Sequence, residues 1–277
     1  MDHQEGFFQD AHGAQIYYQA WLPEDRPKAV VPVVHGFAEH SGRYGNLVEH
    51  LVPLGYALYA LDHIGHGRSE GARVYVDRFS DYITTLKTFV DMVCDGQPGV
   101  PVLLFGHSMG SLISANYLLD HASGLAGAVL SGALIAMADQ VTPLTLFLAK
   151  ALSALAPRAK LQGIEAQYVS RDPEVVQAYV NDPLVYTGKV PARTGAEIIA
   201  AQQRAMAGAS TITLPVLMVH GSGDRLAPLS GAQAFYEALG STDKTLKVYD
   251  ELFHEVCNEP ECGMVLSDIS DWLEAHL

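Results

Sequence analysis

Between Val102 and Ala115 the chain reads VLLFGHSMGSLISA. An unbroken apolar run, Val102–Phe105, meets two glycines fencing a serine, and helical spacing follows over Leu112–Asp120. A short apolar run bounded by glycine suits a strand buried on both faces, the kind found in parallel sheets. Gly106 and Gly110 imply a turn with no room for flanking side chains, so Ser108 is presented at its tip. The stretch therefore demands a strand, a tight turn and a helix that packs back on the sheet.

The same alternation recurs along the chain. Phe7–Gln9 and Gln15–Trp21 flank the turn-prone Asp10–Gly13 and predict a β-hairpin. Strands are expected at Ala29–Val34, Ala57–Leu61, Gly127–Leu130, Leu214–His220 and Thr245–Tyr249. Helices are expected at Tyr44–Leu54, Phe79–Val93, Gly231–Leu239 and Gly263–His276. The chain of 277 residues is long enough for one large domain with an insertion. The pattern predicts an α/β fold, a mainly parallel sheet with helices on both faces. It breaks between about residues 134 and 191, so residues 1–133 and 192–277 read as a core and 134–191 as a helical cap. In the cap, a helix over Pro143–Leu155 would place Leu144, Phe147, Leu148, Ala151, Leu152 and Leu155 on one face, and no strand is expected there.

Gly-x-Ser-x-Gly between a strand and a helix holds the serine on a strained turn, with the next amide, that of Met109, at the helix start. A serine hydroxyl is a poor nucleophile until an imidazole takes its proton and a carboxylate orients that imidazole. On this architecture the partners follow in the order Ser, Asp, His, on loops after strands. Asp224 ends the turn after the Leu214–His220 strand, and His254 lies five residues beyond Tyr249. Both fall at carboxyl ends of strands, where open α/β sheets build their sites. His35-Gly36-Phe37 follows the Ala29–Val34 strand, so the Phe37 amide can converge with that of Met109 on a developing oxyanion. A plain loop with a capping serine is the alternative, and it leaves the acid and base unexplained. Among the twelve histidines, His35, His107 and His220 also adjoin strands, and structural hydrogen-bonding roles are expected for them.

The formal net charge of −14, with no block of like charge, repels nucleic acid and anionic membrane surfaces, so no nucleic-acid partner is expected. Residues 134–165 depart from this balance, with Lys150, Arg158 and Lys160 against Asp139 and Glu165. The cap is thus the part least repelled by a bilayer, and its apolar helix either packs on the core or receives acyl chains at an interface. Cys94, Cys257 and Cys262 make no disulfide framework, and free thiols fit a reducing compartment. No basic stretch followed by an apolar run opens the chain, and no segment has the length of a membrane span, so a cytoplasmic location is expected. No cofactor and no metal is expected: Cys257 and Cys262 lack a second ligand pair, and His63-x-x-His66 reads as a loop.

Four segments, His35–Tyr44 (HGFAEHSGRY), Asp62–Ser69 (DHIGHGRS), Gly106–Gly110 and Gly223–Leu226 (GDRL), together resemble the monoacylglycerol lipase family of α/β-hydrolases, close to the lysophospholipases. The resemblance covers nearly the whole chain. It implies an α/β-hydrolase fold with a helical cap that forms an apolar tunnel and docks on membranes. It also implies a serine esterase that cleaves single-chain acyl esters, chiefly monoacylglycerols, through an acyl-enzyme. Ser108, Asp224 and His254 match the family's triad, and Phe37 and Met109 its oxyanion amides. Glu39 and Arg43 match positions that shape the wall near the oxyanion loop, although a buried ion pair explains them equally well. Tyr179 matches a cap tyrosine, and Leu148 on the cap helix is a further expected substrate contact. Ser111 stands where the family usually has glycine, and Asp224 is followed by Arg-Leu-Ala-Pro without the cysteine of some members. The expected partner is a small acyl ester, with transient contact of the cap to a membrane or micelle, and the oligomeric state is left open. A broader carboxylesterase, lysophospholipase, thioesterase or peptidase shares this chemistry, and a non-catalytic receptor is the alternative of another class.

Overall fold

The computed structural model describes residues 1–135 and 150–277, with Gln162 described by its backbone alone. In chain order the strands are Asp2–Gln9 (β1), Gln15–Leu22 (β2), Ala29–Val34 (β3), Tyr56–Leu61 (β4), Val102–His107 (β5), Leu125–Ser131 (β6), Lys160–Gly163 (β7), Lys189–Pro191 (β8), Val216–Gly221 (β9) and Lys244–Tyr249 (β10). Eight of them form one sheet in the order β1-β2-β4-β3-β5-β6-β9-β10. The β1–β2 hairpin and the β2–β4 pair are antiparallel, and every pair from β4 to β10 is parallel. This is the mainly parallel sheet that the strand–helix alternation predicts, in the α/β-hydrolase form that the resemblance implies.

Burial explains why the central strands read as unbroken apolar runs. Every residue of β3, β4, β5 and β9 is buried. Successive side chains still serve opposite faces. Leu104, Val216 and Met218 join the core under Phe79–Gly96 and Met109–His121, while Leu103, Phe105, Leu217 and Val219 join the core under Gly45–Leu51 and Cys262–Ala275. The parallel register pairs Val34 with Gly106, His107 with Ser131 and Gly221 with Tyr249. The loops that follow β3, β5, β9 and β10 therefore leave from one edge of the sheet.

Two parts of the fold were not legible. The expectation of a strand-free cap is corrected by β7 and β8, which pair antiparallel, Lys160 with Pro191 and Gly163 with Lys189. KLQG and KVP carry no apolar run and are too short for a period of two, so only the returning chain reveals the ribbon. The helix Ala192–Gly208 was likewise unassigned. Its buried face is built from small residues such as Ala201 and Ala205, and Asn116 on the helix after β5 reaches its Ala201 carbonyl at 3.1 Å. Of the expected helix Pro143–Leu155, residues 143–149, including Leu144, Phe147 and Leu148, lie outside the described residues. Residues 150–155 are helical, and Leu152 and Leu155 are exposed. The cap also contains Pro173–Asn181, opened by Asp172, whose carboxylate accepts the Glu174 amide at 2.8 Å. Among the described residues, no helix is long and apolar enough to cross a membrane.

The helix after β5 lies so close to β3 that a Cβ on Gly110 would collide with the Val34 carbonyl oxygen. Gly110→Ala should therefore destabilise the protein by about 1–3 kcal/mol, read from the midpoint of urea unfolding. Gly263→Ala, at a helical position with open space around it, should leave the midpoint unchanged or slightly raised.

Candidate active site

Ser108 stands between β5 and the helix Met109–His121 with φ 54° and ψ −118°. A non-glycine residue there is strained, at about 1–3 kcal/mol, and persists only where its surroundings fix it. Its amide donates to Ser131 O at 2.9 Å, tying the turn to the neighbouring β6. Ser111 is fully buried, and its hydroxyl faces the Gly106 and Ser131 carbonyls at 2.8 and 3.0 Å. The Ser111 hydroxymethyl group thus braces the turn from behind.

His254 is carried by the loop after β10. Its Nε2 lies 2.8 Å from the Ser108 hydroxyl and its Nδ1 lies 2.7 Å from Asp224 Oδ2. The second Asp224 oxygen accepts the Leu226 and Ala227 amides at 2.8 and 2.9 Å. His220, whose Nε2 donates to the Ala227 carbonyl, lies 3.3 Å from Asp224 Oδ2. Burial works against ionising Asp224, but the His254 charge and these donors hold it well below the usual carboxylate range. Burial likewise opposes a charged His254, yet the Asp224 carboxylate outweighs it and raises the imidazole above its ordinary value. Nδ1–H is therefore directed at Asp224, and Nε2 is free to accept the serine proton. Gly132 makes this approach possible: it has φ 52°, and a Cβ on it would lie 2.8 Å from His254 O and 3.2 Å from its Nδ1. The sequence reading missed Gly132, because a lone glycine after a strand carries no signal.

The loop after β3 brings Phe37 to the same place. Gly36 N–H donates to Glu39 Oε1 at 2.6 Å, and Ala38 takes φ 70°, which turns the chain sharply. Among the described residues, no acceptor is found for the amides of Phe37 and Met109. Arg43 grips Glu255 at 2.6 and 2.8 Å and reaches Glu39 at 3.0 Å. Burial and the neighbouring charge of Glu255 raise Glu39, while the bidentate grip of Arg43 overcomes burial and lowers Glu255. Arg43 also stacks 4.7 Å from the centre of the Tyr179 ring. Glu39 and Tyr179 border a cavity of about 300 Å³ that opens at Ser108 and His254. Arg43 lies behind them, in the ion-pair arrangement that the sequence also allowed. Leu148 lies outside the described residues.

Much of the cavity wall was not foreseen. Ile164, Val169 and Val190 from the cap, with Ile198 and Leu226, give it an apolar lining, and Tyr168 and Arg225 stand beside them. These residues are scattered over more than sixty positions, and no local pattern joins them. Several of the remaining histidines have structural partners among the described residues. His35 Nδ1 faces Gly36 O at 2.7 Å and its Nε2 accepts the His63 amide at 2.9 Å. His107 faces Ser131 Oγ at 3.4 Å and packs on the His254 ring. Burial pushes His63 and His107 down to about 3 and His66 to about 4, so these rings stay neutral. Among the described residues, no group of three or more His, Cys, Asp or Glu is placed to hold a metal ion.

The family model described as Hydrolase_4, serine aminopeptidase, S33, matches residues 25–261. A monoacylglycerol lipase of Mycolicibacterium smegmatis is 40% identical over 99% of this chain and 98% of that protein. A monoglyceride lipase of Rattus norvegicus is 36% identical over 97% of this chain and 89% of that protein. The crystal structure of a Paleococcus ferrophilus monoacylglycerol lipase superposes with a TM-score of 0.83 at 29% identity, over all of both chains.

A base at Nε2 works only while the imidazole is neutral. Any acyl-ester turnover at Ser108 should therefore fall as the pH drops through a value above the ordinary imidazole pKa of about 6.5, because Asp224 raises His254. Asp224→Asn should move that inflection to lower pH and cut kcat by about 10⁴-fold, measured as a pH–rate profile.

Proposed function

The chain belongs to the Hydrolase_4 family of serine hydrolases, beside its monoacylglycerol lipases, and we propose that it cleaves monoacylglycerols to a fatty acid and glycerol through an acyl-enzyme on Ser108. The observation that carries this is the hydrogen-bonded series from Ser108 Oγ through His254 to Asp224, at 2.8 and 2.7 Å. In the first half-reaction Ser108 Oγ attacks the ester carbonyl while His254 Nε2 takes its proton. The amides of Phe37 and Met109 receive the charge that develops on the carbonyl oxygen, and each such donor contributes about 3–4 kcal/mol to the transition state. Collapse breaks the bond to the glycerol oxygen, which leaves with the proton from His254. Water then attacks the acyl-enzyme, giving its proton to His254, and the fatty acid leaves as Ser108 regains its hydrogen. Asp224 keeps the imidazole in the required tautomer throughout.

The choice of a monoacyl ester is supported by the cavity, whose apolar walls and volume of about 300 Å³ suit a single acyl chain better than three. Glu39 and Tyr179, on its wall, are assigned to the substrate. Residues 134–191 are read as the cap and the remainder as the hydrolase core. One observation favours a lysophospholipase as the second reading: Arg225, stacked 4.9 Å from the Tyr168 ring on the cavity wall, offers a cation to a phosphate headgroup. Exposed Leu152, Leu155 and Leu161 support transient contact of the cap with a lipid surface. The free cysteines support a reducing, cytoplasmic location.

A panel of monoacylglycerols, triacylglycerols, lysophospholipids and short p-nitrophenyl esters at matched concentration tests the reading, with monoacylglycerols expected to give the highest kcat/KM. Ser108→Ala should fold, lose at least about 10⁴-fold in turnover and no longer label with a fluorophosphonate; an active Ser108→Ala enzyme would show that the nucleophile lies elsewhere. Leu152→Asp with Leu155→Asp should abolish co-sedimentation with phospholipid vesicles, and unchanged sedimentation would end the lipid-contact reading.

A further inference from the structure

Glu259 has a fully buried side chain and touches none of the reacting groups. Its Oε1 accepts the Phe253 amide at 3.0 Å and the Arg171 amide at 2.9 Å, and its Oε2 accepts Arg171 Nε at 2.8 Å. Phe253 is the residue before His254. On the other side, the Glu255 amide donates to the Val169 carbonyl at 2.8 Å. The imidazole is thus bracketed by two attachments to the cap segment Val169–Arg171, one direct and one through the Glu259 carboxylate. Ser170 Oγ adds a weaker contact to Asn258 O at 3.4 Å.

A carboxylate taken this far out of water is costly unless every lone pair it offers is matched. Glu259 draws its donors from the His254 loop and from the cap, so its compensation exists only while those two segments are together. The loop is also held from the core, where the Gly223 amide donates to Leu252 O at 2.9 Å and Arg43 grips Glu255, but it has little regular structure of its own: it leaves β10 through Glu251 at φ 60° and ends in a single 3₁₀ turn, Val256–Asn258. The same cap segment lines the cavity, with Val169 buried and the neighbouring Tyr168 ring set edge-on to Phe253 at 6.4 Å. The wall of the cavity and a base that must sit 2.8 Å from Ser108 therefore share one clamp.

We infer that Glu259 is a positioning residue, clamping the His254 loop to the cap segment Val169–Arg171 so that the reach of the imidazole to Ser108 depends on a cap contact. The inference rests on the reading of His254 as the base for Ser108. A displacement of the base by about 1 Å is enough to cost about 10²-fold in rate.

The test compares steady-state kinetics and pH–rate profiles of Glu259→Ala, Glu259→Gln, Glu259→Asp and the wild type on one monoacylglycerol. Glu259→Ala should lose about 10²-fold in kcat with KM within about twofold. Its acid limb should move to lower pH, because a displaced His254 gives up part of its pairing with Asp224. The groups facing His254, namely Asp224, Glu255, Glu39 and His107, are unchanged in every variant. Glu259→Gln keeps an acceptor for both amides and should retain most of kcat. Glu259→Asp keeps the charge but is one methylene too short, and should fall between the two with the same shift of the acid limb. It supplies the reading if the alanine variant fails to fold. Wild-type kcat in the alanine or aspartate variant, or a loss without movement of the acid limb, overturns the inference. Ser108→Ala in the same assay separates the two levels: if it stays active, the reading of the site fails, and if it is dead while Glu259→Ala is unimpaired, only the clamp fails.

Discussion

The close approach of one helix to one strand governs the rest of the molecule. The helix Met109–His121 begins against the end of β3 at a distance that only glycine at position 110 permits. Because of that contact the backbone between β5 and the helix has no slack, and Ser108 is forced to φ 54°. The strain is stabilised by its surroundings: the Ser108 amide is held by Ser131 O, and Ser111 Oγ faces the Gly106 and Ser131 carbonyls. Parallel pairing then brings the other loops to the same edge, since Val34, Gly106 and Leu130 lie in one row. The hydroxyl, the imidazole and the carboxylate meet because five strands end together, not because their loops are near in sequence.

Buried charge is concentrated around this edge, and Glu39, Arg43, Asp224 and Glu255 each have hydrogen-bond partners. Arg43 serves two carboxylates at once, and through Glu39 it fixes the Gly36 amide and hence the start of the loop after β3. Through Glu255 it holds the residue next to His254. Asp224 is ionised against its burial by His254, His220 and two backbone amides. Such networks contribute little net stability relative to apolar packing, but breaking one partner leaves an uncompensated charge. Their consequence here is geometric: the loops after β3, β9 and β10 are locked to one another rather than merely adjacent.

The segment 160–191 is joined to that network and is not a separate roof. His40 pairs with Asp182 at 2.9 Å, the Tyr186 amide donates to Ala38 O at 2.8 Å, and Glu255 donates to Val169 O at 2.8 Å. Each bond runs from residues 169–186 to the loop after β3 or the loop after β10. Apolar cap residues such as Ile164 and Val190 meet Ile198 and Leu226 to enclose the cavity. The wall of the cavity and the alignment of Ser108, His254 and Asp224 are consequently set by the same contacts.

Local pattern was enough for everything that follows from burial and turn chemistry. Ala29–Val34 reads as a strand because both faces are covered, Gly106-x-Ser108-x-Gly110 reads as a tight turn because flanking side chains have no space, and the spacing of Asp224 and His254 after strands singled them out among the acids and histidines. Local pattern failed where structure depends on partners distant in the chain. The β7–β8 ribbon has too few residues to show a period, the helix Ala192–Gly208 hides its contact face in alanines, and Gly132 is defined by a carbonyl 122 positions away, that of His254. The sheet, its covering helices and the chemical types presented at its edge could be read from the order of residues, because those are set by hydrophobic period and backbone sterics. Which side chains touch, that Arg43 stands behind the cavity rather than in it, and that Glu259 reaches both the His254 loop and the segment Val169–Arg171, emerged only once the chain had folded, because hydrogen bonds and buried ion pairs are fixed by distances that the order of residues does not encode.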